Sequence, residues 1–157
     1  MHKKYLIISL IFILIISIGL TGCNSGGGNG GTNAEIKQQA NNVVDDFLNA
    51  LERENVIAAG DCLASDFTYE HNGETMNKSN TLDMFETAID QGGEYHTLQL
   101  NNIVNEIMSD NVVKISGSVY TDVTSMQGDR TTDTYPTQFK AEKKNGEWKI
   151  ILWIDEG

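Results

Sequence analysis

Across 157 residues, 22 aspartates and glutamates stand against 11 lysines and arginines, a formal net charge of −11. That balance excludes a surface that tracks nucleic-acid phosphates, because such a surface needs clustered Lys and Arg, and it disfavours anionic lipid headgroups. The length leaves room for one domain of ordinary size.

The chain opens on His2-Lys3-Lys4 and continues with an apolar run, free of charge, from Tyr5 to Leu20. Leu20-Thr21-Gly22-Cys23 follows, and then a stretch of Gly, Asn and Ser with nothing to pack. This order of charge, oily stretch, small residues and cysteine is the layout of a secretory signal peptide. The apolar run counts 16 residues, short of the roughly 20 that a membrane-spanning helix needs. Leu20-Thr21-Gly22-Cys23 resembles the lipobox of bacterial lipoproteins. The resemblance implies that the Cys23 thiol receives diacylglycerol and that residues 1–22 are removed. The remainder is then a lipoprotein on the outer, extracytoplasmic face of a bacterial cell membrane, since two or more acyl chains such as palmitate anchor stably. Loss of Lys3 and Lys4 leaves nine basic against 22 acidic side chains, a net of −13, which keeps the domain soluble and lifted off an anionic surface.

Residues 23–33 read as the lipidated cysteine and a flexible tether, because Gly-rich chains behave as coils. Gly26-Gly27-Gly28 lacks both the preceding strand and the following Lys-Ser/Thr of a phosphate loop. With Cys23 taken by lipid, Cys62 has no intramolecular partner, and beside Ala59 and Leu63 it reads as a small buried hydrophobe.

The domain proper runs over residues 34–157. Thr32-Asn33-Ala34-Glu35 has the form of a capping box. Ile36, Ala40, Val43, Val44, Phe47, Leu48 and Leu51 then recur at helical spacing, so a long amphipathic helix is predicted. A second, shorter helix spans about Asn55 to Ala64, weakened by Gly60. Phe67 to His71 alternates as a strand, and Asn72-Gly73 is a tight-turn signal that returns Glu74-Thr75-Met76 beside it. Ser79 or Asn80 would cap a third helix carrying Leu82, Phe85 and Ile89, ended by Gly92-Gly93. Four long strands follow, at about Tyr95–Met108, Val112–Thr124, Thr131–Lys143 and Trp148–Ile154. Asp110-Asn111, Gln127-Gly128-Asp129 and Asn145-Gly146 mark the turns of an antiparallel meander. Pro136, with no amide hydrogen, is expected at an edge or bulge.

Helix, helix, short hairpin, helix and four strands give an α+β class, with three N-terminal helices packed on a curved antiparallel sheet. The long first helix, the Phe67 strand with its glycine turn, the Asn145-Gly146 hairpin and the closing Glu147-Trp148-Lys149-Ile150 together resemble the NTF2-like cone of the cystatin-like architecture. The resemblance implies an apolar pocket between helices and sheet. Some members use it for isomerase, dehydratase or hydrolase chemistry, and others only bind ligands or partners.

The ketosteroid-isomerase-like members place a tyrosine on the first helix and carboxylates on the strands. Here the inward helix face reads Val43, Val44, Phe47 and Leu48, without tyrosine. Glu70 lies opposite Phe67, Tyr69 and His71 by strand alternation, so that acid–base pattern does not carry over and no catalytic residue is assigned. Phe47, Tyr69, His71 and Phe85 are the pocket candidates. His71 beside its turn and His96 at a strand start read as surface histidines, and no metal or cofactor site is read, since zinc takes three or four protein ligands. Asp122, Asp129 and Asp133 lack the spacing of a calcium loop, and Ser116, Ser118 and Ser125 lack a nucleophile elbow. On the last strand Trp148, Ile150, Leu152 and Ile154 should share one face and Lys149, Ile151 and Trp153 the other. Ile151 and Trp153 are therefore interface candidates, for a homodimer or another partner.

Two function classes stay open. One is a membrane-tethered, non-catalytic domain that binds an envelope protein or small apolar ligand, or pairs with itself. The other is a small NTF2-like enzyme acting on an apolar substrate, with Tyr69 and His71 or Glu70 in the cavity.

Overall fold

The computed structural model describes residues 31–156; the stretch expected to be a signal peptide, and Cys23, lie outside the described residues. Helix α1 (Asn33–Glu52) starts at the Thr32 capping box, where the Thr32 amide donates to Glu35 Oε2 at 2.7 Å and the Glu35 amide donates back to Thr32 Oγ1 at 3.4 Å. Its buried stripe is Ile36, Ala40, Val43, Val44, Phe47, Leu48, Ala50 and Leu51. Helix α2 (Val56–Cys62) is capped by the Asn55 side chain. Strands β1 (Leu63–His71) and β2 (Glu74–Asn77) form the first hairpin, and α3 (Lys78–Asp90) follows it. The α3 cap is Asn77, whose side chain accepts from the Asn80 amide at 3.0 Å, so the helix begins earlier than Ser79 or Asn80 would start it. Among the described residues no helix is long and apolar enough to cross a membrane.

Strands β3 (Glu94–Ser109), β4 (Val112–Thr124), β5 (Arg130–Lys144) and β6 (Glu147–Asp155) complete one six-stranded sheet in the order β2-β1-β6-β5-β4-β3. The element order of helix, helix, hairpin, helix and four strands is the expected one, although only α1 and α2 precede the first strand, so the three helices are not all N-terminal to the sheet. The pairing departs from the expectation of an antiparallel sheet: the sheet is mixed, because β1 lies parallel to β6, with Tyr69 opposite Trp153 and His71 opposite Asp155. Local turn and period signals carry no information on a pairing between strands this far apart in sequence, so the parallel contact was not legible.

A bulge in β6 matters more for the site. Lys140 pairs with Leu152 but Ala141 pairs with Ile150, which leaves Ile151 as an extra residue. One inserted residue reverses strand alternation beyond it. Ile150 and Trp153 therefore both point inward, at 0% and 5% exposure. Trp153 is a core residue and not part of an outer-face interface, and Ile151 sits half-buried at the bulge.

Pro136 lies within the central strand β5, not on an edge. Its carbonyl accepts from the Glu156 amide at 3.2 Å, just past the end of β6. The reciprocal bond that proline cannot make is thus lost only where that ladder runs out. The core fills the space between α1, α3 and the inner sheet face, with Phe47, Phe67, Phe139, Leu51, Ile115 and Ile150 fully enclosed.

Candidate functional site

Between α1, α3 and the sheet the core leaves a cavity of about 260 Å³. Leu48 and Leu51 come from α1, Phe85 from α3, and Tyr95 and Leu98 from β3. The sheet adds Val119, Thr121 and Val123 from β4, Tyr135 from β5, and Trp153 and Asp155 from β6, with Tyr69 of β1 beside them. The positions on α1 and β4 follow from helical spacing and strand alternation, whereas bulges in β3 and β6 set those of Tyr95, Leu98, Trp153 and Asp155.

The polar centre is Asp155, 9% exposed. The Tyr69 hydroxyl donates to Asp155 Oδ2 at 3.0 Å. His71 Nδ1 comes within 3.3 Å of the same oxygen, without the alignment of a hydrogen bond. On the other side of the ring, His71 Nε2 lies 2.8 Å from the Asn72 amide nitrogen. When that amide donates, the ring proton sits on Nδ1 and faces Asp155. Asp155 also borders a shallower surface depression with Glu70, Asn72 and Thr75, so it stands between the cavity and the outside.

The rings form a continuous group around Trp153. Its centroid is 4.6 Å from Tyr69, 5.5 Å from Phe139, 5.7 Å from Phe47 and 6.2 Å from Phe85. The Trp153 indole N–H donates to Thr137 Oγ1 at 2.9 Å, and that hydroxyl donates in turn to the Ile154 carbonyl at 2.9 Å. The indole is thereby fixed on both its apolar and its polar side.

Burial pushes the hydroxyl titration of Tyr69 and Tyr135 well above the usual tyrosine value, and the negative charge of Asp155 pushes both further. Burial alone raises that of Tyr95. These hydroxyls stay protonated across the physiological range, so they serve as hydrogen-bond donors.

Of the four pocket candidates, Tyr69 and Phe85 line the cavity, as does Trp153, which the sequence offers as an interface residue. Phe47, at 0% exposure, lies one layer behind, against Phe85 and Trp153. His71 approaches the site only through Asp155. Glu70 pairs with Thr75 and Ile154 and faces away from the cavity, so it cannot act there. His96 lies apart, with Nε2 at 2.7 Å from Thr124 Oγ1. Among the described residues no three His, Cys, Asp or Glu side chains come together to hold a metal. Asp155 and Tyr135 were missed. Asp155 follows Trp153 at a spacing of two, a signal that becomes readable once Trp153 is known to point inward.

No family model matches the chain, and no curated protein does. Solved structures match it throughout the domain. An NTF2-like protein from Cytophaga hutchinsonii superposes with a TM-score of 0.67 at 14% identity, covering 81% of this chain and 99% of its own. A ketosteroid isomerase-like protein from Erwinia carotovora atroseptica gives 0.66 at 15% identity, covering 79% and 96%. A protein of unknown function with a cystatin-like fold from Nostoc punctiforme gives 0.60 at 18% identity, covering 76% and 89%. The domain has the NTF2-like, cystatin-like fold, and identities at this level speak for the fold alone.

Proposed function

We propose that this chain is a lipid-anchored, extracytoplasmic ligand-binding protein. Diacylglycerol on Cys23 holds it at the outer face of a bacterial membrane, the tether gives it reach, and the cone cavity takes a small, largely apolar molecule. The observation that carries the binding reading is the cavity itself, about 260 Å³ walled by aromatic and aliphatic side chains around one carboxylate. That is the usual make-up of a small-molecule site, an apolar lining with a few orienting polar groups. The lipobox order of residues 2–23 supports the anchor.

A second reading, a small enzyme, draws on the approach of Tyr69 and His71 to Asp155 over an open volume. It asks for a group that gives or takes a proton near neutral pH. The tyrosine hydroxyls are shifted the wrong way for that, which favours binding.

The test is mass spectrometry on protein purified from membrane fractions, beside a Cys23→Ala control. Expected are an acylated N-terminal cysteine in the wild type, none in the variant, and a small molecule released on denaturing either protein. Wild-type protein without acyl mass would remove the anchor. A released molecule chemically altered on incubation with fresh protein would move the assignment to the enzyme.

A further inference from the structure

We propose that the cavity selects a compact organic cation, a quaternary or protonated amine with an apolar body. This rests on the ligand-binding reading above and names its chemistry.

Five aromatic side chains from five different elements face the same volume: Tyr69, Phe85, Tyr95, Tyr135 and Trp153. Aromatic faces carry the negative lobes of the ring quadrupole, and several rings around one space attract a weakly hydrated cation. Asp155 adds a formal negative charge at the edge of that space, and the residues lining the cavity include no lysine or arginine. The aromatic lining and the carboxylate thus favour the same sign. An anion meets repulsion from Asp155.

The same field reaches the neighbouring hydroxyls. After burial, the charge of Asp155 is the largest influence holding the Tyr69 and Tyr135 protons in place. Beyond the cavity, the net charge of −13 that remains without Lys3 and Lys4 raises the local concentration of cations around the domain. A metal ion is a poor occupant, because among the described residues no three ligating side chains converge. Size sets the other limit. About 260 Å³ falls just under the range of roughly 300–1,000 Å³ for drug-sized ligands, so the occupant is compact.

The test uses the full chain in detergent and three probes of one shape. They are choline, its neutral isostere with a quaternary carbon in place of nitrogen, and the tert-butylacetate anion. Binding is followed by calorimetry and by tryptophan emission. Choline should bind on the order of tenfold more tightly than the neutral isostere, and the anion should not bind. Asp155→Asn should remove most of that preference. Tyr135→Leu, at a half-buried wall position, should weaken choline more than the isostere even if Asp155→Asn fails to fold. The isostere or the anion binding as tightly as choline overturns the cation assignment and leaves the ligand-binding reading standing. So does recovery of a neutral or anionic native ligand. If none of the three binds and no molecule is recovered from the protein, both readings fall.

Discussion

The Tyr69 hydroxyl donates to Asp155 Oδ2 at 3.0 Å, joining residues 86 positions apart across the parallel β1–β6 contact. The bond ties the last strand to the first at the place where the cavity carries its charge. Removing the hydroxyl while keeping the ring isolates its worth. Tyr69→Phe leaves a buried carboxylate with one donor fewer, which costs about 1–3 kcal/mol. Urea unfolding followed by circular dichroism should show a lower midpoint at unchanged slope. A loss below about 0.5 kcal/mol, the scatter of a neutral substitution, would mean that the bond contributes nothing.

The buried tyrosines predict a decline of stability in alkali. Tyr69, Tyr95 and Tyr135 all hold their protons more tightly in the folded state than the ordinary value near 10. A raised folded value stabilises fully below the unfolded value and loses its contribution as pH climbs above it. Between the two values the unfolded chain binds fewer protons, so each further pH unit favours unfolding. The urea midpoint should be flat with respect to these groups up to about pH 9.5 and fall above about pH 10. Phenolate absorbance from them should appear together with loss of structure. Phenolate appearing near pH 10 in a still-folded protein would contradict their burial.

Trp153 is the residue on which the ring cluster closes, and its size makes the prediction large. It is 5% exposed and touches rings from α1, α3, β1 and β5. Trp153→Ala opens a hole at the centre and should cost about 3–5 kcal/mol. The measurement is again the urea midpoint, with size-exclusion chromatography alongside. A tryptophan serving an outer-face contact would instead leave the midpoint nearly unchanged and alter only association.

How much of this was legible follows from the range of each signal. Asn72-Gly73 and Asn145-Gly146 adopt the paired positive φ angles of tight hairpins, 51° with 81° and 53° with 91°. Two-residue chemistry suffices to write such turns. The stripe of α1 and the span of β4 were equally plain, because period alone defines them. The site was half-legible. Tyr69 follows from alternation within β1, whose pairing is regular from Thr68 to His71. Asp155 does not, because Ile151 shifts the alternation of β6 and sent Trp153 to the wrong face in a reading by period. The parallel pairing that sets Tyr69 against Trp153 and His71 against Asp155 is a property of the whole fold.

Cys62 offers a probe of opening that leaves the site untouched. It is half-buried at the end of α2, and its thiol donates to the Ala58 carbonyl at 3.5 Å. Burial first, and then the charge of Asp46, push the thiol up to about 11. The thiolate is the reactive form, so at pH 8 alkylation should be slower than for a free thiol by more than tenfold. Measured on a Cys23→Ala background, the rate should rise sharply across the urea transition. Fast labelling of folded protein would show Cys62 to be exposed.

Gly117 gives the last test, because it concerns space and not conformation. The β3–β4 register slips between Asn101 and Val104, opposite Ser118 and Ser116, and Asn102 takes a φ of 55° there. Gly117 faces that bulge from the neighbouring strand. A Cβ at this position would stand 2.6 Å from the Asn101 carbonyl oxygen and 3.0 Å from Leu100 Cδ1. The first of these is backbone held in the sheet, so the strand itself must shift. Gly117→Ala should therefore destabilise by about 1–3 kcal/mol, although alanine is ordinarily the better strand residue. Gly146→Ala is a useful contrast. Its Cβ would meet nothing within 4 Å, and its cost comes from the φ of 91° alone. Amide exchange should separate the two: Gly117→Ala should lower protection across Leu100–Val104 and its partners in β4, whereas Gly146→Ala should act at the β5–β6 turn. An unchanged exchange pattern around Asn101 in Gly117→Ala would show that the bulge can absorb a methyl group and that its close approach is not a constraint on the sheet.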